Sequence, residues 1–409
     1  MLCNPPNPVG TAPELALFTT SDAVNEQFGT TTVRDVAPDV DTLTSAAVVN
    51  SLNFSFDLHR AVTAENPDQG SVESGYSAAL SLLLTSTATG GDTLVALNNL
   101  LGTDSLLADD VFNAINDLSL SIESRSNDDL VLRSANRVFV KPELNLQTQF
   151  LDTATSSFGA PVTAANFEGA TEEVVSAINE WAANQTDNFI PSIVDDIDPR
   201  TAIAALNAIF LDAQWQDEFQ SLGERTFNAI DGSVSEVANF GGTSFLTQSV
   251  DNDLTAFEIP YAGEELAMLV LMPESIESFE STLNADSLSE IVDGLQLAEV
   301  RFNIPTWQLE NELDLVQLLT PFGLPANPWD FSRLVEGGDI LEILARQNAR
   351  IEVDESGTVA AAVTVTGGLG TTTSITPPIT VINIDRPFVY VLRDRTTGTV
   401  LFTGRIVAP

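Results

Sequence analysis

The sequence predicts an α+β fold. Two observations carry that reading: helical apolar periodicity dominates the first half of the chain, and β-branched and apolar runs dominate the second. A third bounds it: from residue 45 to residue 409 the chain reads as one body, with no second linker and no internal repeat.

Residues 1–44 read as an N-terminal extension or tether, partly flexible. Pro5, Pro6, Pro8, Pro13 and Pro38 interrupt any periodicity, and Leu15, Leu17 and Phe18 form one apolar patch suited to docking on the body. Residues 45–64 predict a helix, with Leu52, Phe56 and His59 on one face. Residues 76–84 and 92–101 predict two more helices. Residues 171–184 predict another, with Glu172 and Glu173 in the first turn, where the helix dipole favours anions, and Val174, Ile178 and Trp181 as its buried face. Strands are expected at 131–140, 203–212, 265–272 and 298–309. Residues 387–393 and 399–407 read as two strands joined around Gly398, apolar on nearly every residue and so covered on both faces.

Composition narrows the function. The 409 residues carry a formal charge of −42 with only 18% charged side chains, so the acidity comes mainly from missing cations, and Lys141 is the only lysine. A hydrophobic share of 44% excludes a disordered acidic chain. The charge argues against nucleic acid, since no excess cation exists to neutralise phosphates, and against an anionic membrane surface. It suits a chain in salty or external water, where screening relieves self-repulsion. Cys3 is the only cysteine, so no internal disulfide and no cysteine metal cluster can form. Its position near the start is that of a lipid-anchor cysteine, the alternative being an incidental thiol. The expected location is extracellular or at the cell surface, with anchoring through Cys3.

Enzyme chemistry finds little support. His59 is the only histidine and lies in a helical stretch, where a satisfied, half-buried role outweighs that of a base or ligand. No G-x-S-x-G elbow occurs; Gly75-Tyr76-Ser77 lacks the closing glycine. No phosphate-binding glycine motif occurs either, no cofactor is implied, and nothing singles out a carboxylate pair for glycoside hydrolysis.

The informative stretch is residues 351–380, IEVDESGTVAAAVTVTGGLGTTTSITPPIT. From Thr358 through Pro377 there is no charge and no aromatic ring. Connections this long inside a compact domain are usually functional or disordered. Thr358, Ala360, Ala362 and Thr364 alternate with Val359, Ala361, Val363 and Val365, so the segment is a loop with the composition of a strand.

With this loop in view, the chain resembles the serpins, serine protease inhibitors, over most of residues 46–409. Glu355-Ser-Gly-Thr-Val-Ala-Ala-Ala362 resembles the hinge of an inhibitory reactive-centre loop, and Ile382-Asn-Ile-Asp-Arg-Pro-Phe-Val-Tyr-Val-Leu392 resembles the family's C-terminal signature. Phe402-Thr-Gly-Arg405 resembles its final strand; Leu206-Asn207-Ala-Ile-Phe-Leu with Trp215 resembles a central-sheet segment; Ser74 and Ser77, followed by Asp92-Thr93, resemble the region beneath the point where that sheet opens. Ile178-Asn179-Glu-Trp181 resembles the helix lying across the sheet. The likeness is to an inhibitory, prokaryotic-type member.

The resemblance implies a serpin fold, helices packed on three β-sheets with an exposed reactive-centre loop near 356–380, within a domain of 45–409. It implies a suicide-substrate inhibitor rather than an enzyme. A protease cleaves the loop, and the loop then inserts as a new strand in the central sheet and traps the acyl-enzyme, releasing the strain of a metastable native form. Glu355, Gly357, Thr358, Ala360, Ala361 and Ala362 would form the hinge, whose inward positions must be small and uncharged because burying an unpaired charge costs several kcal/mol. Ser74, Ser77, Asn207, Gln347 and Trp215 would form the cluster that gates sheet opening. Gln347 stands where the family has a histidine, so opening is expected to be independent of protonation there. The usual basic partner of Glu355 aligns with Thr306, so that family ion pair is expected to be missing.

Family spacing from Gly357 places the scissile bond at Thr371-Thr372; counting back from Pro377-Pro378 moves it to Thr373 or Ser374. Either register puts a small residue before the bond, which predicts elastase-like or subtilisin-like serine proteases as targets. Trypsin-like enzymes are disfavoured, because no Arg or Lys lies between Arg350 and Arg386. No basic helix patch exists, so heparin-type activation is not expected, and a monomer is. The alternative reading is a non-inhibitory binding or carrier protein of the same fold.

Overall fold

The computed structural model describes residues 23–25, 28, 30, 32–34, 42–335, 340–358 and 379–409. Cys3, the Leu15–Phe18 patch, Ala360–Ala362 and Thr371–Ser374 lie outside them.

Two large sheets dominate. The first has seven strands in the order β1 (Val24–Asn25), β4 (Val162–Ala165), β3 (Leu130–Val140), β5 (Ile203–Gln214), β15 (Gly357–Thr358), β14 (Ile343–Val353) and β11 (Trp307–Asp314). The second has nine strands: β16 (Thr380–Asn383), β10 (Gln296–Pro305), β7 (Val234–Val250), β8 (Leu254–Pro260), β9 (Leu266–Pro273), β17 (Phe388–Asp394), β18 (Val400–Ile406) and β2 (Ser71–Glu73), with β6 (Gln220–Asn228) beside β7. A two-stranded ribbon joins β12 (Trp329–Asp330) to β13 (Ile340–Leu341). The expected three sheets thus become two large ones and a ribbon. The reason is β7: its 17 residues pair with β6 and β10 and, at the far end, with β8, which makes one continuous sheet.

The helices are α1 (Thr42–Glu65), α2 (Gly75–Ala88), α3 (Gly91–Leu100), α4 (Ala108–Glu123), α5 (Thr148–Phe158), α6 (Thr171–Gln185), α7 (Ile276–Thr282), α8 (Ala285–Gly294) and α9 (Leu315–Leu319). α2 is buried over almost its whole length, which suits its composition of apolar, small and hydroxyl residues without a charge. Gly75 allows its start to cross α1, since a Cβ there would lie 2.3 Å from the Ser55 Cα.

The single strand expected over 298–309 is two strands in two sheets. Pro305 closes β10, because proline has no N–H to continue a ladder. The Thr306 N–H then donates to the Ala238 carbonyl at 2.9 Å, and Trp307 opens β11 opposite Val353.

The central strand β5 is buried on both faces. Ile203, Ala205, Ile209, Leu211 and Ala213 face the main core. Ala204, Leu206 and Ala208 lie in a second core with Val174, Ile178 and Trp181 of α6. Asn179 of α6 fixes the chain that follows, accepting from the Ile193 and Val194 N–H groups and donating to the Val194 carbonyl.

Part of the N-terminal extension is docked on the body. Val24 and Asn25 pair with Ala165 and Ala164 at the edge of the first sheet. Thr30 and Thr32 donate to Asp152 of α5, and Arg34 donates to Asn116 and Glu123 of α4.

Candidate functional site

The site lies where β5 and β14 meet. These parallel strands pair directly over Ile203–Ala208 and Ile343–Asn348. Above Asn348 they part, and Gly357–Thr358 sits between them, antiparallel to both: Thr358 lies opposite Ala213 on one side and Val353 on the other. The start of the loop is therefore already seated in the sheet.

Local chemistry holds that seat. Asp354 closes the turn out of β14, its carboxylate accepting from the Ser356 N–H at 2.7 Å and the Gly357 N–H at 3.3 Å. Only glycine fits at 357, since a Cβ would stand 2.1 Å from the Ala213 carbonyl oxygen. The Trp215 indole donates to the Asp354 carbonyl at 2.8 Å, and its backbone N–H donates to the Ser356 carbonyl. The Trp215 ring stacks on Tyr261, with centroids 4.5 Å apart, and on Phe240. The Tyr261 hydroxyl meets the Thr358 hydroxyl at 2.6 Å, and both side chains are buried. Burial pushes the Tyr261 phenol well above its ordinary range, although the Thr358 hydrogen bond works the other way, so it stays neutral.

The predicted gating residues converge under the lower junction. Ser74 caps α2: its hydroxyl accepts from the Ser77 N–H and donates to the Leu401 carbonyl at 2.6 Å. Gln347 grips the Ser74 backbone with both ends of its amide, Oε1 accepting from the N–H at 3.1 Å and Nε2 donating to the carbonyl at 2.9 Å. The Ser77 hydroxyl donates to Asn207 Oδ1, and Asn207 Nδ2 donates to Asn136 Oδ1 at 2.8 Å. All five side chains are buried. This is a satisfied polar knot in an apolar core, and it ties α2 to both β5 and β14.

The serpin (serine protease inhibitor) family model matches residues 49–409. The chain belongs to the serpin family. Among its relatives, a serpin-like protein of Thermococcus kodakarensis is 29% identical over 88% of this chain and 86% of its own length. The leukocyte elastase inhibitor of Sus scrofa is 27% identical over 87% of this chain and 97% of its own. Among solved structures, the native thermophilic serpin tengpin has a TM-score of 0.82 at 23% identity, covering 95% of this chain and all (100%) of that one. Thyroxine-binding globulin in complex with thyroxine has a TM-score of 0.78 at 24% identity, covering 89% of this chain and 99% of that one.

In this serpin, Ser74, Ser77, Asn207 and Gln347 lie together in the lower cluster. Trp215 lies apart from them, at the upper seat with Gly357 and Thr358. Among the described residues Glu355 has no ion-pair partner. Tyr261, Asp354 and Asn136 complete these contacts and are not among the residues the sequence singles out. Asn136, like Asn207, is an asparagine inside an apolar strand run, but nothing in that pattern alone pairs the two.

His59 also differs from the expectation of a half-buried residue. It is 1% exposed, between Glu73 at 2.5 Å and Glu280 at 3.1 Å, and Arg405 donates to the other oxygen of Glu280 at 3.1 Å. Burial alone would lower its pKa, but the two carboxylates outweigh it and push it up to about 9.

Proposed function

We propose that this serpin is a suicide-substrate inhibitor of serine proteases with small-residue specificity, elastase-like or subtilisin-like. One observation carries the reading: Gly357 and Thr358 already occupy the gap between β5 and β14 in a register that the following residues can continue. Continued downward, that register sets Ala360 between Leu211 and Ile351, Ala362 between Ile209 and Ala349, and Thr364 between Asn207 and Gln347. Gly368 then falls between Ile203 and Ile343, at the foot of the paired strands. Directly opposite residues share a face, and Ile203, Ile209, Leu211, Ala349 and Ile351 belong to the main core. The even-numbered loop residues, all small and uncharged, would therefore enter the core. A new central strand of ~10 residues gains on the order of 10 kcal/mol in hydrogen bonds at about 1 kcal/mol each. The same uncharged hinge argues against a purely carrier role.

The leukocyte elastase inhibitor among the relatives agrees with a small residue before the scissile bond. We place that bond at Thr371-Thr372, with Thr373 and Ser374 as alternatives, and the protein outside the cell or on its surface, tethered through Cys3.

Incubation with an elastase-like or subtilisin-like protease tests the proposal. A complex that survives boiling in detergent, with a released C-terminal fragment beginning between residues 370 and 376 by mass spectrometry, is the expected result. Simple proteolysis with no such complex would overturn the inhibitory reading, and a fragment starting elsewhere would overturn the placement of the bond.

A further inference from the structure

The outer face of β7, β10 and β16 is unusual for a chain this acidic. Phe245 is 66% exposed, Leu297 70%, Val381 57% and Ile379 36%. The registers put them on one surface. Glu299 lies opposite Phe245, Arg301 lies opposite both Thr243 and Val381, and Leu297 is two residues from Glu299 on the same side of β10. The intervening residues Leu246, Val300, Phe302 and Ile382 point the other way, into the core. Four large apolar side chains thus surround a single Glu299 and Arg301, forming a near-neutral patch on a chain of formal charge −42.

We propose that this patch is a second docking surface for the target protease, engaged when the protease grips the reactive loop; this rests on the inhibitory reading above. Continuity supports it, since Ile379 and Thr380 are where the loop rejoins the sheet. So does reach. The proposed bond lies five to eight residues before Ile379, a span of at most about 29 Å when extended. A protease of about 200 residues has a radius of gyration of about 16 Å, so its body extends well beyond its cleft and meets this face. Charge selects the protease over a second copy of this chain, because two such acidic bodies repel across a patch that offers only one cation. Apolar anchors within a weakly charged surround are the composition of an interface centre.

The test compares wild type with the Phe245→Ser/Leu297→Ser double variant, using Val95→Ser, an exposed apolar site on α3, as the control. Association rate constant and stoichiometry of inhibition are both measured, and sedimentation gives the oligomeric state. The double variant is expected to associate about tenfold more slowly at unchanged stoichiometry and unchanged melting temperature, with the control matching wild type. If wild type forms covalent complexes and the double variant associates as fast, the docking proposal is wrong and the inhibitory reading stands. If wild type is a dimer that the double variant dissociates, a second copy covers the patch and the proposal is overturned. If wild type forms no covalent complex, both readings fall.

Discussion

At the scale of single residues, the polar cluster of Ser74 and Gln347 carries no proton chemistry of its own. Ser74, Ser77, Asn136, Asn207 and Gln347 carry no titrating group, and Gln347 makes its two hydrogen bonds to Ser74 at any pH. Glu73, next to Ser74, is paired with His59, which holds its proton until about pH 9. Inhibition rates, corrected for the protease's own dependence, should therefore stay flat from pH 5 to 8; a step in the histidine range would contradict this. The buried set of Glu73, Glu280, Arg405 and His59 is neutral only while His59 is charged. Its folded pKa is raised above the unfolded value of 6.5, so its stabilisation is complete below about 6.5 and is lost as pH rises through about 9. Thermal midpoints measured from pH 6 to 10 should fall over that window. His59→Gln leaves a buried carboxylate uncompensated, at a cost of about 3–5 kcal/mol, and should remove this part of the pH dependence; a variant that keeps the same fall would refute the assignment. Ser74, Ser77, Asn207 and Gln347 could be named from the sequence through its resemblance to the serpins. Asn136 and Glu280, the distant partner of His59, could not, because their contacts join residues 71 and 221 positions apart, and only strand register and helix packing bring those together.

At the scale of elements, β15 is two residues long, yet it fixes the register of everything that would follow it. Two stages follow from the pairing. On the proposed insertion, Val359 to Val363 would enter between the parted ends of β5 and β14, whereas Thr364 and beyond would have to separate existing pairs, beginning at Asn207 and Gln347. Thr358 already contacts Tyr261 in the buried seat, so Thr358→Arg would bury a guanidinium without an acid partner there. That variant should be cleaved as a plain substrate, with covalent complex reduced at least tenfold on a detergent gel; inhibition equal to wild type would show that insertion is not the mechanism. The helices around α2 and α6 and the strands β3, β5, β9, β17 and β18 were legible because their apolar patterns are strong. The break between β10 and β11 was not, because apolar and polar residues alternate across it and only Pro305 marks the change of sheet. α4 and α5 escaped notice, since their apolar residues are diluted by serines, threonines and aspartates.

At the scale of the whole molecule, acidity and neutrality are divided. A formal charge of −42 surrounds a segment from Thr358 through Pro377 that carries no charge, and the proposed insertion would carry that segment into the first sheet. The α+β class and the serpin architecture follow from sequence patterns that span the chain; the merging of the strands into one nine-stranded sheet follows from the length of β7, which composition does not announce. The central claim, that cleavage lets the loop become the middle strand between β5 and β14, is tested most directly by melting. The loop is cut by a protease that does not become trapped, and intact and cleaved proteins are melted side by side. Insertion worth on the order of 10 kcal/mol predicts that the cleaved form melts roughly 12 °C higher. A cleaved form that melts at or below the temperature of the intact protein would contradict the account.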